Sequence, residues 1–202
     1  MPRLTFVLGA GRSGTSLVSR IFEACGAQLG GTNGFAENRQ AKYWINHKLH
    51  AAGFDQFGQY PLPDAPIMST PRDVAHLKRI CEGVDLIKDV KFVWVWPTLL
   101  EAFPEAHFVL CYRTPQRIAE SCIEAPFMRA YEDATAWEVW ARAYQSQCQD
   151  LSNAAPGRCS WVVPDALATG GDFALRSAVA CSGLQWTEEA DRVFDPKQWS
   201  GG

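Results

Sequence analysis

Residues Leu4 to Leu8 form an apolar run that breaks directly into Gly9-Ala-Gly-Arg-Ser-Gly-Thr-Ser16, after which the apolar pattern resumes from Leu17 to Cys25. Strand, glycine-rich turn and helix in that order make a backbone nest whose amides point at an anion, with the helix dipole adding positive potential. No other stretch constrains the fold as much. The turn predicts an α/β chain that holds a phosphate at the end of its first strand, and the residues inside the turn decide which kind.

As a Walker loop, G-x-x-x-x-G-K-[ST], the turn has its glycines at Gly9 and Gly14 and its hydroxyl at Ser16, but Thr15 stands where the lysine belongs. That replacement removes the charge a nucleoside triphosphatase relies on. As a dinucleotide fingerprint, Gly9-x-Gly11-x-x-Gly14 matches, with Glu37 as the acid for a ribose contact. Such a fold also wants a second strand straight after the helix, and Gly26-Ala-Gln-Leu-Gly-Gly-Thr-Asn-Gly34 is a glycine-rich loop instead. A third reading takes Arg12-Ser13-Gly14-Thr15-Ser16 as the working unit: a cation just before a Ser-Gly-Thr turn, then two hydroxyls at the start of a helix.

Two further segments bear on the choice. Glu105-Ala-His-Phe-Val-Leu-Cys-Tyr-Arg-Thr-Pro115 is a buried-type strand ending in Arg113, with Ser121 eight residues further on in the next helix. An arginine at a strand end and a serine two turns into the following helix can converge on one phosphate. Val84-Asp-Leu-Ile-Lys-Asp-Val-Lys-Phe92 is a short strand ending in Lys88-Asp89, followed by Trp96-Pro-Thr-Leu-Leu-Glu-Ala-Phe-Pro104.

Together these motifs resemble the sulfotransferases that use PAPS, 3′-phosphoadenosine 5′-phosphosulfate. The resemblance implies that Gly11, Arg12, Ser13, Gly14, Thr15 and Ser16 hold the 5′-phosphosulfate, and that Arg113 and Ser121 bind the 3′-phosphate. It implies a P-loop-like sulfotransferase fold: three layers, with a central, mostly parallel sheet flanked by helices. Lys88-Asp89 is similar to the family's strand end, and Asp165-Ala-Leu to its Glu-Asp-Leu, so the likeness covers most of the chain. The implied reaction is in-line sulfuryl transfer to a hydroxyl or amine, without a metal. Arg12 and Lys88 would neutralise charge on the leaving phosphate.

The base is less determined. Many cytosolic relatives carry a histidine two residues after the strand-end lysine, where this chain has Val90. Glu37 and Asp89 remain as catalytic candidates. The segment around Glu37 resembles the acidic site of carbohydrate-type and bacterial members, and Asp89 reads as a buried partner of Lys88 or Arg12. A carboxylate of ordinary pKa suffices as base if its geometry is good. A P-loop small-molecule kinase, and a module that holds PAP (3′-phosphoadenosine 5′-phosphate) without transfer, stay open as alternatives.

At 202 residues the chain is long enough for one domain with a sizeable core, and 47% of it is hydrophobic. A net charge of −3 disfavours nucleic acid, so a polyanionic cofactor depends on local cations. The expected partner is a small-molecule or carbohydrate acceptor. Seven scattered cysteines without a C-x-x-C pair argue for reduced thiols rather than a metal site, and the absence of a long apolar run argues against a membrane span, so a cytoplasmic enzyme is expected.

The pattern predicts strands over 4–8, 84–88, 107–112 and 158–163, and helices over 15–25, 38–52, 71–82, 95–103, 115–124, 132–152, 171–183 and 188–194. Strands alternating with helices place ligands at the strands' carboxyl ends, where Gly9 to Ser16, Lys88 and Arg113 all fall. Phe54 to Thr70 reads as a long loop or lid, and Ser200-Gly-Gly202 as a frayed end.

Overall fold

A computed structural model describes residues 2–194; the expected fraying of Ser200-Gly-Gly202 falls outside them. Four strands, β1 (Thr5–Gly9), β2 (Leu86–Lys88), β3 (His107–Cys111) and β4 (Cys159–Val162), form a wholly parallel sheet in the order β2-β1-β3-β4. Side chains alternate between its faces, as a pleated strand requires. Phe6, Leu8, Phe108 and Leu110 enter one core, while Val7, Val109, Cys111 and Val162 enter the other.

The first core is covered by α2 (Arg39–Ala51), α3 (Pro71–Ile80), α4 (Trp96–Ala102), α5 (Pro115–Glu124) and α6 (Ala134–Ala154). The second is covered by α1 (Thr15–Ala24), α7 (Phe173–Cys181) and α8 (Glu188–Val193). This is the three-layer α/β arrangement expected of the motifs. The chain runs outward from β1 to β2 and then crosses to β3, so a crevice opens above β1 and β3 at their carboxyl ends.

Element boundaries shift where side chains cap them. The strand expected over 84–88 starts only at Leu86, because the amides of Asp85 and Leu86 both donate to the Gln28 carbonyl. A 3₁₀ turn over Val90–Val95, capped by Asp89, precedes α4, and another over Pro164–Thr169 precedes α7. Asp133 caps α6 by accepting from the Ala136 amide at 2.9 Å.

The loop before α3 is tied down rather than standing off the surface. Trp140 Nε1 and Tyr144 Oη both donate to the Gly58 carbonyl, at 2.9 and 2.8 Å. Gly58 lies at φ 72°, and a Cβ there would run into Tyr144 Oη and Lys91, so the approach needs glycine. Among the described residues no helix is long and apolar enough to cross a membrane.

Candidate active site

The turn after β1 is held by its own serine. Ser13 is fully buried, and both its hydroxyl (2.7 Å) and its amide (3.3 Å) donate to the Ala10 carbonyl. The Ser13 side chain thereby braces the turn in which the resemblance places the phosphosulfate. Arg12 takes the left-handed conformation at φ 66°, unusual for a side-chain-bearing residue, and Gly14 follows at φ 89° as the N-cap of α1. This path leaves Gly11, Arg12, Thr15 and Ser16 lining a cleft of about 650 Å³, with the unpaired amides of the first turn of α1 beneath them.

Arg12 gathers the second motif around itself. Its Nε donates to Ser121 Oγ at 2.9 Å, and Arg113 Nη1 donates to its carbonyl oxygen at 3.3 Å. Arg113 and Ser121 are thus tied to one residue, the first at the Arg12 backbone carbonyl and the second at its guanidinium, and neither lines the cleft itself. Asp165 accepts from Arg113 Nε at 3.2 Å and from Arg117 Nη1 at 3.3 Å. The sequence reading missed that carboxylate bridge.

Across the cleft, a tight turn places Glu37. Thr32 and Asn38 pair as an antiparallel bridge, Ala36 adopts φ 58°, and Asn33 Oδ1 accepts from the Glu37 amide at 3.1 Å. The carboxylate then meets two ammonium groups. Lys42 Nζ donates to Oε2 at 2.6 Å and Lys88 Nζ donates to Oε1 at 3.2 Å, while Asn33 Nδ2 adds a bond to Oε2 at 2.8 Å. Burial alone would raise this carboxyl, but the Lys88 charge and the hydrogen bonds from Lys42 and Asn33 outweigh it and hold the group at about 2. Lys88 is itself buried and also donates to the Phe35 carbonyl at 3.2 Å.

Asp89 departs from expectation. It partners neither Lys88 nor Arg12: its Oδ1 lies 2.9 Å from Lys91 Nζ and accepts from the Lys91 amide at 3.0 Å. The backbone at Asp89 is extended, so neighbouring side chains diverge and Asp89 cannot follow Lys88 towards Glu37. Lys42 was also missed, although a signal existed: it sits in the first turn of α2, the wrong end of the helix dipole for a cation unless an anion lies beside it.

Phe127 completes the arrangement, with its ring centroid 5.8 Å from Arg12 Cζ and 5.8 Å from the Phe35 ring. Arg12, Lys88 and the start of α1 bring positive charge and helix-terminal amides to the cleft, and Glu37 adds a carboxylate beside them.

A family model described as a sulfotransferase domain matches residues 5–169. The chain belongs to the sulfotransferase domain family. The fold is similar to the sulfotransferase domain of the Synechococcus PCC 7002 olefin synthase, at 17% identity and a TM-score of 0.59, over 98% of this chain and 80% of that one. A sulfotransferase from Mycobacterium tuberculosis aligns at 16% identity and a TM-score of 0.49, over 96% of this chain and 70% of its own. No match is found among curated proteins.

Proposed function

We propose that this protein transfers a sulfuryl group from PAPS to a hydroxyl or amine acceptor. The observation that carries the reading is the pairing of Lys88 with Glu37 at the edge of a cleft that Arg12 and the start of α1 also line. Gly11 lines the cradle, and because a Cβ there would meet Trp140 at 3.2 Å, glycine keeps that wall open beside the Arg12 cation and the α1 amides that suit an anion. PAPS supplies the sulfuryl group and a phosphate leaving group. Gly11, Arg12, Gly14, Thr15 and Ser16 hold the 5′ end, and Arg113 with Ser121 takes the 3′-phosphate.

Lys88 has two possible anionic partners, the Glu37 carboxylate and the leaving phosphate, and it cannot serve both fully. As Lys88 turns towards the phosphate, Glu37 loses part of the charge that depresses its pKa and becomes a better proton acceptor for the attacking hydroxyl. Lys42 keeps the carboxylate in place during that exchange.

Calorimetric titration with PAP, AMP and ATP, followed by transfer assays with labelled PAPS, tests the reading. PAP should bind in preference to the other two and label should pass to an acceptor. Preferential binding of ATP with Mg²⁺ would point to a kinase instead. PAP binding with no transfer to any acceptor would leave only a binding module.

A further inference from the structure

We propose that the acceptor is a small flat aromatic alcohol of the phenol class; this rests on the sulfuryl-transfer reading above. Four of the seven exposed aromatic side chains among the described residues, Phe35, Phe57, Tyr60 and Phe127, line this one cleft. Phe57 and Tyr60 are 63% and 66% exposed, a gathering of apolar surface that soluble proteins keep for binding. The rings come from three loops, and Phe35 precedes Glu37 by two residues, so the aromatic wall adjoins the carboxylate.

Several of the charged groups around this wall are engaged within the chain. Lys42 is held by Glu37 and Lys91 by Asp89. The two oxygens of Asp55 accept from the amides of Phe57 and Gln59, at 3.2 and 2.7 Å, and Arg129 Nε donates to the Pro126 carbonyl at 2.6 Å. A sugar would need many open polar partners and a polyanion would need unpaired cations. Ring faces and edges suit a flat apolar body whose single hydroxyl points at Glu37.

The wall is also fixed in advance. Gln59 Nε2 donates to the Phe127 carbonyl at 2.8 Å, and its Oε1 accepts from the amides of Arg129 and Ala130 at 2.8 and 3.2 Å, lacing two ring-bearing loops together. In the transfer step the phenolic oxygen forms a bond to sulfur while the sulfur–oxygen bond to the 5′-phosphate breaks. Its electron pair leaves on PAP, and the phenolic proton passes to Glu37.

Calorimetry of 2-naphthol and N-acetylglucosamine against the whole protein, with and without PAP, tests this, together with transfer of label from PAPS to each compound. Naphthol should bind and accept label, Phe57→Ala and Phe127→Ala should each weaken its binding roughly tenfold, and Phe173→Ala, on the far side of the sheet, should leave it unchanged. Binding of neither compound, a preference for the sugar, or naphthol binding unmoved by the ring variants overturns the proposal. Label passing to the sugar but not to naphthol also overturns it while upholding sulfuryl transfer. Ring-dependent naphthol binding without transfer of label supports the phenol site and removes the transferase reading.

Discussion

Lys88 Nζ lies 3.2 Å from Glu37 Oε1, joining the end of the edge strand β2 to the turn that precedes α2. This buried cation shares the Glu37 carboxylate with Lys42, and on the proposed reading an anion entering the cleft competes with Glu37 for Lys88. Glu37→Gln keeps the shape and removes both the proton acceptor and the competitor. Turnover should fall roughly 10²-fold, the usual scale for losing a positioned base, while PAP binds as tightly as before or tighter. Steady-state kinetics paired with calorimetry decides; near-full activity removes Glu37 from the mechanism.

The same contacts give a signed pH expectation. The Glu37 carboxyl is held at about 2, below its ordinary 4.5, so its stabilising contribution is complete above 4.5 and is lost as pH falls through about 2. Lys42→Met removes one of the two ammonium partners and should move the Glu37 midpoint upward, towards 4.5. Carboxyl-carbon NMR titration of both proteins reads this directly. A wild-type midpoint near 4.5 would show that the two lysines do not hold the group.

Much of this architecture was legible because it is written in local patterns. Short continuous apolar runs, read as buried-type strands, located the four strands of the described sheet, and Arg12, Lys88 and Arg113 stand at or just beyond strand ends. The partnerships were harder to read. Glu37 meets Lys88 across 51 positions of sequence and Arg113 meets Asp165 across 52, and no local pattern encodes which of several carboxylates each cation will choose. Asp89 reads in sequence as a buried partner of Lys88 or Arg12, but the extended backbone sends its side chain away from that of Lys88 and it pairs with Lys91. The ring-lined wall escaped for a similar reason: Phe35, Phe57 and Phe127 are unremarkable singly and become a surface only when three loops meet.

Arg113 carries two roles that one experiment can separate. It braces the Arg12 carbonyl at 3.3 Å, and on the proposed reading it also contacts the 3′-phosphate. A charge-assisted contact is worth on the order of 1.5–3 kcal/mol, so Arg113→Ala should weaken PAP roughly tenfold or more and leave AMP, which lacks that phosphate, little changed. Equal losses for both nucleotides would assign Arg113 to the brace alone.

Asp89 and Lys91 form the buried pair whose disruption should be felt mainly as stability. Their charged atoms lie 2.9 Å apart, with side-chain exposures of only 1% and 6%. Asp89→Asn leaves an oxygen to accept from the Lys91 amide, so the cap of the following 3₁₀ turn survives, but the ammonium loses its counter-charge in the interior. Breaking such a pair from one side costs roughly 3–5 kcal/mol, which urea unfolding resolves easily. Adding Lys91→Met removes the stranded charge and should recover much of the loss, because an apolar chain of similar length needs no partner there. PAP affinity should stay close to wild type in the folded protein, since Lys88 keeps Glu37 as its partner. If PAP binding instead collapses in Asp89→Asn and the second substitution fails to restore stability, Asp89 acts through Lys88 after all, and the division of labour between the two carboxylates has to be redrawn.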